Sequence, residues 1–278
     1  MRKLTLMIIT VMVAGTVGVG DGLARENDQL SITCNVGRAY QDLGDLKQII
    51  STWNAWMDAA SEDPRVGYAH AEDIGIGYSL MGDIRYRLGR RFLLSLRLEY
   101  LTDNSSTLAV VFGNEFSAAG APITLTALYQ FPGILPGPFR RATVNLGVGG
   151  GPVMRGIYKF EFYVPLDNHL TARATSRGFQ LHGLAEIDYP VLDRLSLVGE
   201  VFYRYTSMGD LTYRSVSGET ETLQGFWEGG AQEDFPGIFE GIPFPEEGEK
   251  VIYTPAGDVM KLDFGGINFF FGLRFYAF

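Results

Sequence analysis

Residues 262–278 read LDFGGINFFFGLRFYAF, and from Ile267 onward two kinds of side chain alternate. Large apolar side chains occupy every second position: Ile267, Phe269, Phe271, Leu273 and Phe275. The positions between them are mixed: Asn268, Phe270, Gly272, Arg274 and Tyr276. Because successive side chains of a β-strand point to opposite faces, the stretch is predicted to be a strand with two different environments. The apolar face would cover a protein core, or it would contact lipid while the mixed face lines a closed barrel.

The N-terminus has the features of a secretory signal peptide. Two basic residues precede an apolar run over residues 4–19, and Gly22-Leu23-Ala24 provides a small-x-small cleavage site. We therefore expect residues 1–24 to be removed and residues 25–278 to form one mature domain. No later stretch approaches the ~20 apolar residues of a spanning helix, so a mature chain in a membrane would cross it with strands.

The composition suits a protein built from many strands. Glycine accounts for 35 of 278 residues, aromatic residues for 13%, and charged residues for only 20%. The single cysteine, Cys34, has no partner for an internal disulfide, and we expect it to be a small apolar strand residue. A net charge of −9 argues against binding of nucleic acid through a basic surface.

Alternation like that of the C-terminal stretch recurs along the mature chain and predicts eight strands. The expected strands cover residues 30–40, 73–88, 92–100, 123–131, 141–163, a stretch ending in 179–189, 195–206 and the C-terminal segment. After the first strand, apolar residues recur every three or four positions over residues 43–60, which predicts one amphipathic helix. We expect this helix to lie across the mouth of a barrel or against its rim, or else to act as a gate or contact lipid.

The expected connections alternate in length. Those after the second, fourth and sixth strands are short, and the others are long, with loops at 103–122 and around 167–168. The run Gly149-Gly150-Gly151-Pro152 predicts a bend or bulge in the fifth strand. An even strand number, with short turns at one end and long loops at the other, is typical of outer-membrane barrels.

The last connection, residues 207–261, is long and acidic, with eleven acidic and three basic residues. We expect a solvated surface loop; the alternative is a surface that binds a divalent cation or a partner. Its motif PGIFEGIPFPEEGE places three phenylalanines, Phe235, Phe239 and Phe244, among acids, where they could pack or bind.

Charged residues cluster on the face of the strands opposite the apolar one. They are Asp83, Arg85, Arg87, Arg97, Glu99, Arg141, Glu186, Asp188, Glu200, Arg204 and Arg274. Since a lipid-facing Arg or Lys costs roughly 2–4 kcal/mol at the bilayer midplane, these charges are expected to point inward and pair across the lumen. The candidate site is therefore a lumen polar network of Asp83, Arg85, Arg97, Glu99, Glu186, Glu200, Arg204 and Arg274. It would be a salt-bridged structural plug, or a narrow conduit opened by rearranging the pairs.

The outward face includes Ile74, which we expect to begin the apolar side of the second strand. Aromatic residues near the strand ends fit the girdles of a membrane barrel: Tyr86, Tyr100, Tyr129, Phe131, Tyr189 and Tyr205.

The assembled pattern resembles small bacterial outer-membrane barrels of the OmpA, OmpX and OmpW type. The C-terminal assembly signal of that family resembles Gly-x-x-aromatic-x-apolar, and Gly272, Phe275 and Ala277 have this spacing, with Phe278 one residue later. The resemblance implies an all-β fold, an eight-stranded antiparallel up-and-down transmembrane β-barrel with one short helix in the first long loop. It also implies an outer-membrane location, an extracellular position for the long acidic loop over residues 207–261, and insertion by the barrel-assembly machinery.

Such barrels serve several functions, so the fold does not fix one. The first hypothesis is a non-enzymatic, monomeric protein in contact with outer-membrane lipid, which acts as a narrow porin-like channel or as a surface binding or membrane-stabilising protein. A second hypothesis is a barrel enzyme that acts on outer-membrane lipid through His182 and Glu186, although no serine is suitably placed beside His182. A third is a secreted, lipocalin-like carrier.

The remaining histidines and the glycine runs predict no further site. We expect His70 and His169 to be solvated, the first before a strand and the second in a loop. No His/Cys/Asp cluster has convincing metal-ligand spacing, and no glycine run has the context of a phosphate loop, so we predict neither a metal site nor a cofactor.

Overall fold

A computed structural model describes residues 29–60, 74–108, 113–164, 168–217 and 259–277. These residues form mainly β-strands, together with one α-helix. The strands are β1 (Leu30–Gln41), β2 (Ile76–Arg87), β3 (Phe92–Leu108), β4 (Gly113–Pro132), β5 (Thr143–Val164), β6 (Asn168–Leu192), β7 (Leu195–Met208), β8 (Thr212–Ser217) and β9 (Gly266–Ala277). Helix α1 (Asp45–Ala60) follows β1, and a short 3-10 helix, Gly137–Arg141, lies between β4 and β5. The expected signal peptide, His70, Phe278 and the phenylalanine motif lie outside the described residues.

Eight of the strands form a closed antiparallel barrel. Strand β1 pairs with β2 on one side and with β9 on the other, and β9 pairs with β7. The pairing of β5 with β6 joins the two ends of this sheet and closes the barrel. Short β8 pairs with the first part of β6, so residues 212–217 of the connection expected as a solvated loop over 207–261 form a strand instead. The eight-stranded up-and-down barrel with one helix is therefore confirmed.

The two ends of the barrel differ. We call the end with the β2–β3, β4–β5 and β6–β7 connections the turn end, and the opposite end, where α1 lies, the loop end. Strands β3 to β6 are longer than β1, β2, β7 and β9, and their extra length lies at the loop end. One wall of the barrel is therefore taller than the other.

This tall wall corrects the loops expected at 103–122 and around 167–168. Residues 103–108 continue β3 and pair with 113–118 of β4, and Asn168 is already the first residue of β6. The segment 117–122, SAAGAP, is made of small residues with weak strand propensity, so its alternation carries little hydrophobic signal. His169 accordingly lies in a strand rather than in a loop.

The bend expected at Gly149–Pro152 lies elsewhere in the strand. Residues 149–151 stay in continuous register with β4 or β6, and the irregularity lies between Val153 and Gly156, opposite Gly120 and Pro122. The glycines have a different role: a Cβ at Gly151 would lie 2.1 Å from the Ile123 carbonyl oxygen. They permit close approach of neighbouring strands, and the bulge forms where Pro122 interrupts the ladder.

The predicted faces agree with the observed burial along most strands. Phe92, Leu146 and Phe269 are exposed on the outside, whereas Arg85, Arg97 and Glu200 are buried inside. Ile74 is an exception: it is buried, because Gly75 (φ +127°) breaks the alternation before β2 begins. Arg141 is another, since it ends the 3-10 helix and is exposed.

Candidate functional site

The barrel interior contains every residue of the predicted lumen polar network. The charged side chains that it buries are Asp83, Arg85, Arg97, Glu99, Asp103, Glu186, Asp188, Glu200, Arg204 and Arg274. They come from β2, β3, β6, β7 and β9, at positions where the alternation of the strand points inward. Arg87, expected in the same set, is only half-buried near the turn end. Six carboxylates and four guanidinium groups therefore share the interior that the described strands enclose.

Glu186 is the centre of the part of the network nearer the turn end. It receives two hydrogen bonds from Arg85, at 2.9 Å and 2.6 Å, and one of 2.7 Å from Arg274. The Asn145 side-chain amide donates a fourth, at 2.6 Å. Strands β2 and β6 are on opposite sides of the barrel, so the Arg85–Glu186 pair spans the lumen.

Neighbouring pairs extend this cluster. Arg85 also donates to Asp83, with its Nη2 2.7 Å from Oδ2. Arg274 donates to Asp188 at 2.5 Å and to the Thr33 hydroxyl at 3.0 Å. The two arginines are thus held in place by acceptors on several strands.

A second pair of strands, β3 and β7, is joined nearer the loop end. Arg97 Nη2 lies 2.7 Å and 2.5 Å from the two carboxylate oxygens of Glu200. Arg204 donates to Glu99 at 2.7 Å, and the Ser79 hydroxyl donates to the same oxygen at 2.6 Å. These strands also lie opposite each other, so the pairs brace the barrel across its width.

Apolar side chains fill the space between the ion pairs. The guanidinium carbons of Arg97 and Arg204 lie 5.2 Å and 5.1 Å from the centroid of the Phe202 ring. Phe270 contacts the same ring edge-on and is completely buried. Cation–π contact of this kind is favourable when it is desolvated, so the aromatic rings contribute to holding the arginines.

The loop end of the lumen is closed by an apolar plug. We give this name to seven buried residues from α1 and the turn before it and from the segment before β9: Leu43, Leu46, Ile49, Ile50, Met260, Leu262 and Phe264. They pack against the inner face of the tall wall, which includes Phe116, Tyr158 and Phe160.

Hydrogen bonds join the two parts of the plug to each other and attach the plug to the barrel. The backbone amide of Lys261 donates to Asp45 at 2.8 Å, and that of Phe264 donates to the Thr206 hydroxyl at 2.9 Å. The strand expected to begin near residue 262 starts only at Gly266, whose φ of +136° turns the chain from the plug into β9. Sequence reasoning missed this plug, although Leu262 and Phe264 already carry an apolar alternation.

His182 and Glu186 contact different neighbours in the lumen. The His182 ring stacks on Phe202 with centroids 4.6 Å apart, and its Nε2 lies 2.8 Å from the Thr126 hydroxyl. Glu186 is engaged by two arginines, as described above. The carboxylate is therefore committed to cations and the imidazole to a separate set of neighbours.

Neither a metal site nor a spanning helix is found in the part of the chain that the structure describes. Within those residues, no group of three or more His, Cys, Asp or Glu side chains is arranged to hold a metal ion. Over the same residues, no helix combines the length and apolar character needed to cross a membrane.

Comparison with known proteins gives only distant similarities. No protein-family model and no curated protein matches the sequence. The fold is similar to the crystal structure of a major outer membrane protein from Thermus thermophilus, with TM-score 0.43 and 13% identity, over 89% of this chain and 99% of that one. It is also similar to the outer membrane protease OmpT from Escherichia coli, with TM-score 0.38 and 14% identity, over 90% of this chain and 79% of that one. At these values the similarities assign neither a family nor an activity to the chain.

Proposed function

We propose that this chain is an integral outer-membrane β-barrel with a closed lumen, which acts without catalysis as a membrane-stabilising or binding protein and presents its loop end outside the cell. The observation that carries the proposal is that apolar side chains are exposed on the outer face of the barrel, whereas charged side chains are buried on the inner face. Phe271, in the middle of β9, is 70% exposed, whereas Phe270 and Arg274 on the other face of the same strand are at most 1% exposed.

Water is a poor solvent for the outside of this barrel. Large apolar residues are exposed on all eight barrel strands, among them Ile84, Leu96, Leu125, Leu146, Leu181, Leu197 and Phe269. Soluble monomers rarely expose a contiguous apolar patch larger than a few hundred Å². A closed barrel satisfies its backbone hydrogen bonds internally, which is the condition for strands to cross a bilayer. A lipocalin-like carrier would instead require a polar outside and an apolar cavity.

Aromatic side chains mark the edges of the apolar band. Tyr86 at the turn end, and Tyr100 and Tyr205 toward the loop end, are exposed on the outside. Tyr and Trp are enriched where hydrocarbon meets headgroups, so these residues fit the two interfaces of a bilayer. Together with the signal peptide expected at the N-terminus, this band supports an outer-membrane location.

The filled lumen favours a closed barrel over a porin-like channel. The paired arginines and carboxylates are almost wholly buried, and the apolar plug covers them at the loop end. Leaving one member of a buried ion pair without its partner costs about 3–5 kcal/mol, so a conduit formed by breaking several pairs would be rarely populated. The engagement of Glu186 by two arginines likewise supports a non-enzymatic role.

The proposed partners follow from the location. They are outer-membrane lipid around the band and the barrel-assembly machinery during insertion, with no nucleic acid and with a single copy as the working unit. The acidic balance of the chain supports the exclusion of nucleic acid.

Electrophoresis and electrical recording test this function together. Refolded in vesicles and left unheated in SDS, the protein is expected to migrate faster than after boiling, because a closed membrane barrel stays folded. In planar bilayers the same preparation is expected to give no discrete conductance steps. Loss of the mobility difference would contradict the membrane barrel, and regular conductance steps would contradict the closed lumen.

A further inference from the structure

A lateral groove opens at the loop end, outside the lumen. Its volume is about 850 Å³, and it lies between α1 and the tops of β1, β2, β7 and β9, the short wall of the barrel. On the barrel side it is lined by Tyr40, Ile76, Tyr203 and Ile267, all of them at least 42% exposed on the outward face. The groove is therefore continuous with the apolar band, and a molecule can enter it sideways from the surrounding layer.

The chain before β2 shapes the floor of the groove. Gly75 has φ +127°, which turns Ile74 inward beneath α1. The Lys47 side chain passes directly over this glycine: a Cβ at Gly75 would lie 2.8 Å from Lys47 Cε and 3.1 Å from its Nζ. The glycine thus leaves the space that places the Lys47 ammonium group at the groove.

The polar lining favours an anion. Lys47 lines the groove and is exposed to solvent. Arg38 does not line the groove but lies on the outward face of β1, two residues before Tyr40, with its guanidinium carbon 4.2 Å from the Tyr78 ring centroid. Among the described residues that line the groove, Asp42 is the one carboxylate.

Gln41 adds an independent sign of a polar ligand. It lines the groove and is only 3% exposed. Within the described residues neither its amide nitrogen nor its amide oxygen has a hydrogen-bond partner. Leaving a buried amide unpaired is unfavourable, and a ligand with hydroxyl or phosphate oxygens would provide the missing hydrogen bonds.

We propose that this groove binds one anionic membrane lipid, with an acyl chain along Tyr40, Ile76 and Ile267 and its phosphate beside Lys47. The proposal rests on the membrane location proposed above, because only there does the groove open onto lipid. An amphiphile fits better than a soluble apolar molecule, since the apolar wall and the cationic end lie side by side. A lipid headgroup beside Lys47 would also lie level with the aromatic residues at the edge of the apolar band.

Native mass spectrometry of the detergent-solubilised full chain, titrated with phosphatidylglycerol, tests the proposal. The wild type is expected to hold one lipid more tightly than the rest. Lys47→Gln should weaken this binding about fivefold, because a cation near a lipid surface contributes ~1 kcal/mol. Phosphatidylcholine with the same acyl chains should bind the wild type less tightly than phosphatidylglycerol. Ser51→Trp, on the α1 side of the groove, should block both lipids by filling the space.

Two matched variants control for charge and bulk. Arg90→Gln removes a cation at the turn end, and Gln48→Trp adds a ring at an exposed α1 position that does not line the groove. Both should bind lipid as the wild type does. Equal binding by wild type, Lys47→Gln and Ser51→Trp, with the mobility shift of the folded barrel intact, would overturn the groove and leave the proposed function standing. Absence of that mobility shift in the wild type would instead contradict the proposed membrane barrel itself.

Discussion

Glu186 shows how a single carboxylate is kept charged inside the barrel. It accepts hydrogen bonds from Arg85, Arg274 and Asn145, so its oxygens exchange water for four donor contacts. An ion pair removed from water is tolerated only when its geometry is good and its remaining hydrogen-bonding groups are satisfied. The same requirement makes the pair sensitive to loss of one partner.

Replacing this carboxylate should therefore destabilise the folded barrel strongly. We expect Glu186→Gln to lower the free energy of unfolding by about 3–5 kcal/mol, because two buried guanidinium groups lose a shared counter-ion. Denaturant unfolding in lipid vesicles measures the change. Asp210→Asn, which removes an exposed carboxylate between β7 and β8, should stay within about 0.5 kcal/mol of the wild type. An equal change in the free energy of unfolding for the two variants would show that the buried carboxylate contributes no more to stability than an exposed one.

Phe271 tests the opposite face. In a water-soluble protein, an Arg at a position that is 70% exposed would cost almost nothing. In a bilayer, Phe271→Arg near the middle of β9 should cost about 2–4 kcal/mol in the same unfolding measurement. Ile134→Arg, in the β4–β5 connection beyond the strands, provides the control and should be close to neutral. A neutral Phe271→Arg would argue that this face meets water.

At this scale, period-two alternation in the sequence was enough to assign inside and outside for most residues. It could not tell which charges pair, because Arg85 and Glu186 are 101 residues apart and meet only across the closed barrel. It also failed at Ile74 and Arg141. In each case a local backbone feature, a positive-φ glycine or a 3-10 helix, takes the residue out of the strand geometry that the pattern assumes.

Among the elements, strand existence was easier to predict than strand length. The upper parts of β3 and β4 contain Ser, Asn, Ala and Gly, so hydrophobic periodicity ends before the backbone pairing does. These segments are strands because their backbones are paired with neighbouring strands: β4 pairs along its length with both β3 and β5. Pairing of this kind depends on other strands of the barrel, so a single sequence does not show it.

Helix α1 was predicted from its apolar spacing, but the partner of its apolar face was not. Leu46 and Ile49 pack with Met260, Leu262 and Phe264, which lie more than 200 residues further along the chain. The plug is thus assembled from the two ends of the sequence. In the folded chain, the pairing of β1 with β9 brings these two segments together.

Disrupting this plug should loosen the loop end while the barrel stays intact. We expect Leu46→Asp to increase proteolytic cleavage around α1, because a buried, unpaired carboxylate cannot remain in an apolar cluster. Limited proteolysis in vesicles measures the change, and the unheated mobility in SDS reports on the barrel. Gln48→Asp on the exposed side of α1 should leave the cleavage pattern unchanged. Loss of the folded mobility by Leu46→Asp would show instead that the plug is needed for barrel stability.

For the molecule as a whole, one orientation of the sheet accounts for its apolar outer face, its charged inner face and its closure into a barrel. An eight-stranded barrel is just wide enough for its own side chains to fill it, and here they are ion pairs with aromatic rings between them. In the proposed orientation, lipid would contact the apolar outer face, while the charges of the inner face are paired in the lumen. The central claim is therefore the orientation of the sheet relative to lipid.

Site-directed spin labelling tests that orientation most directly. In a Cys34→Ser background, nitroxide labels at Leu96 and Leu146, both 47% exposed, are compared in vesicles with a label at Ile134 beyond the strands. The collision rate with oxygen, which is enriched in hydrocarbon, should exceed that with a water-soluble nickel complex at Leu96 and Leu146, and the order should reverse at Ile134. Faster collision with the nickel complex at Leu96 and Leu146 as well would place the apolar band in water and contradict the membrane barrel.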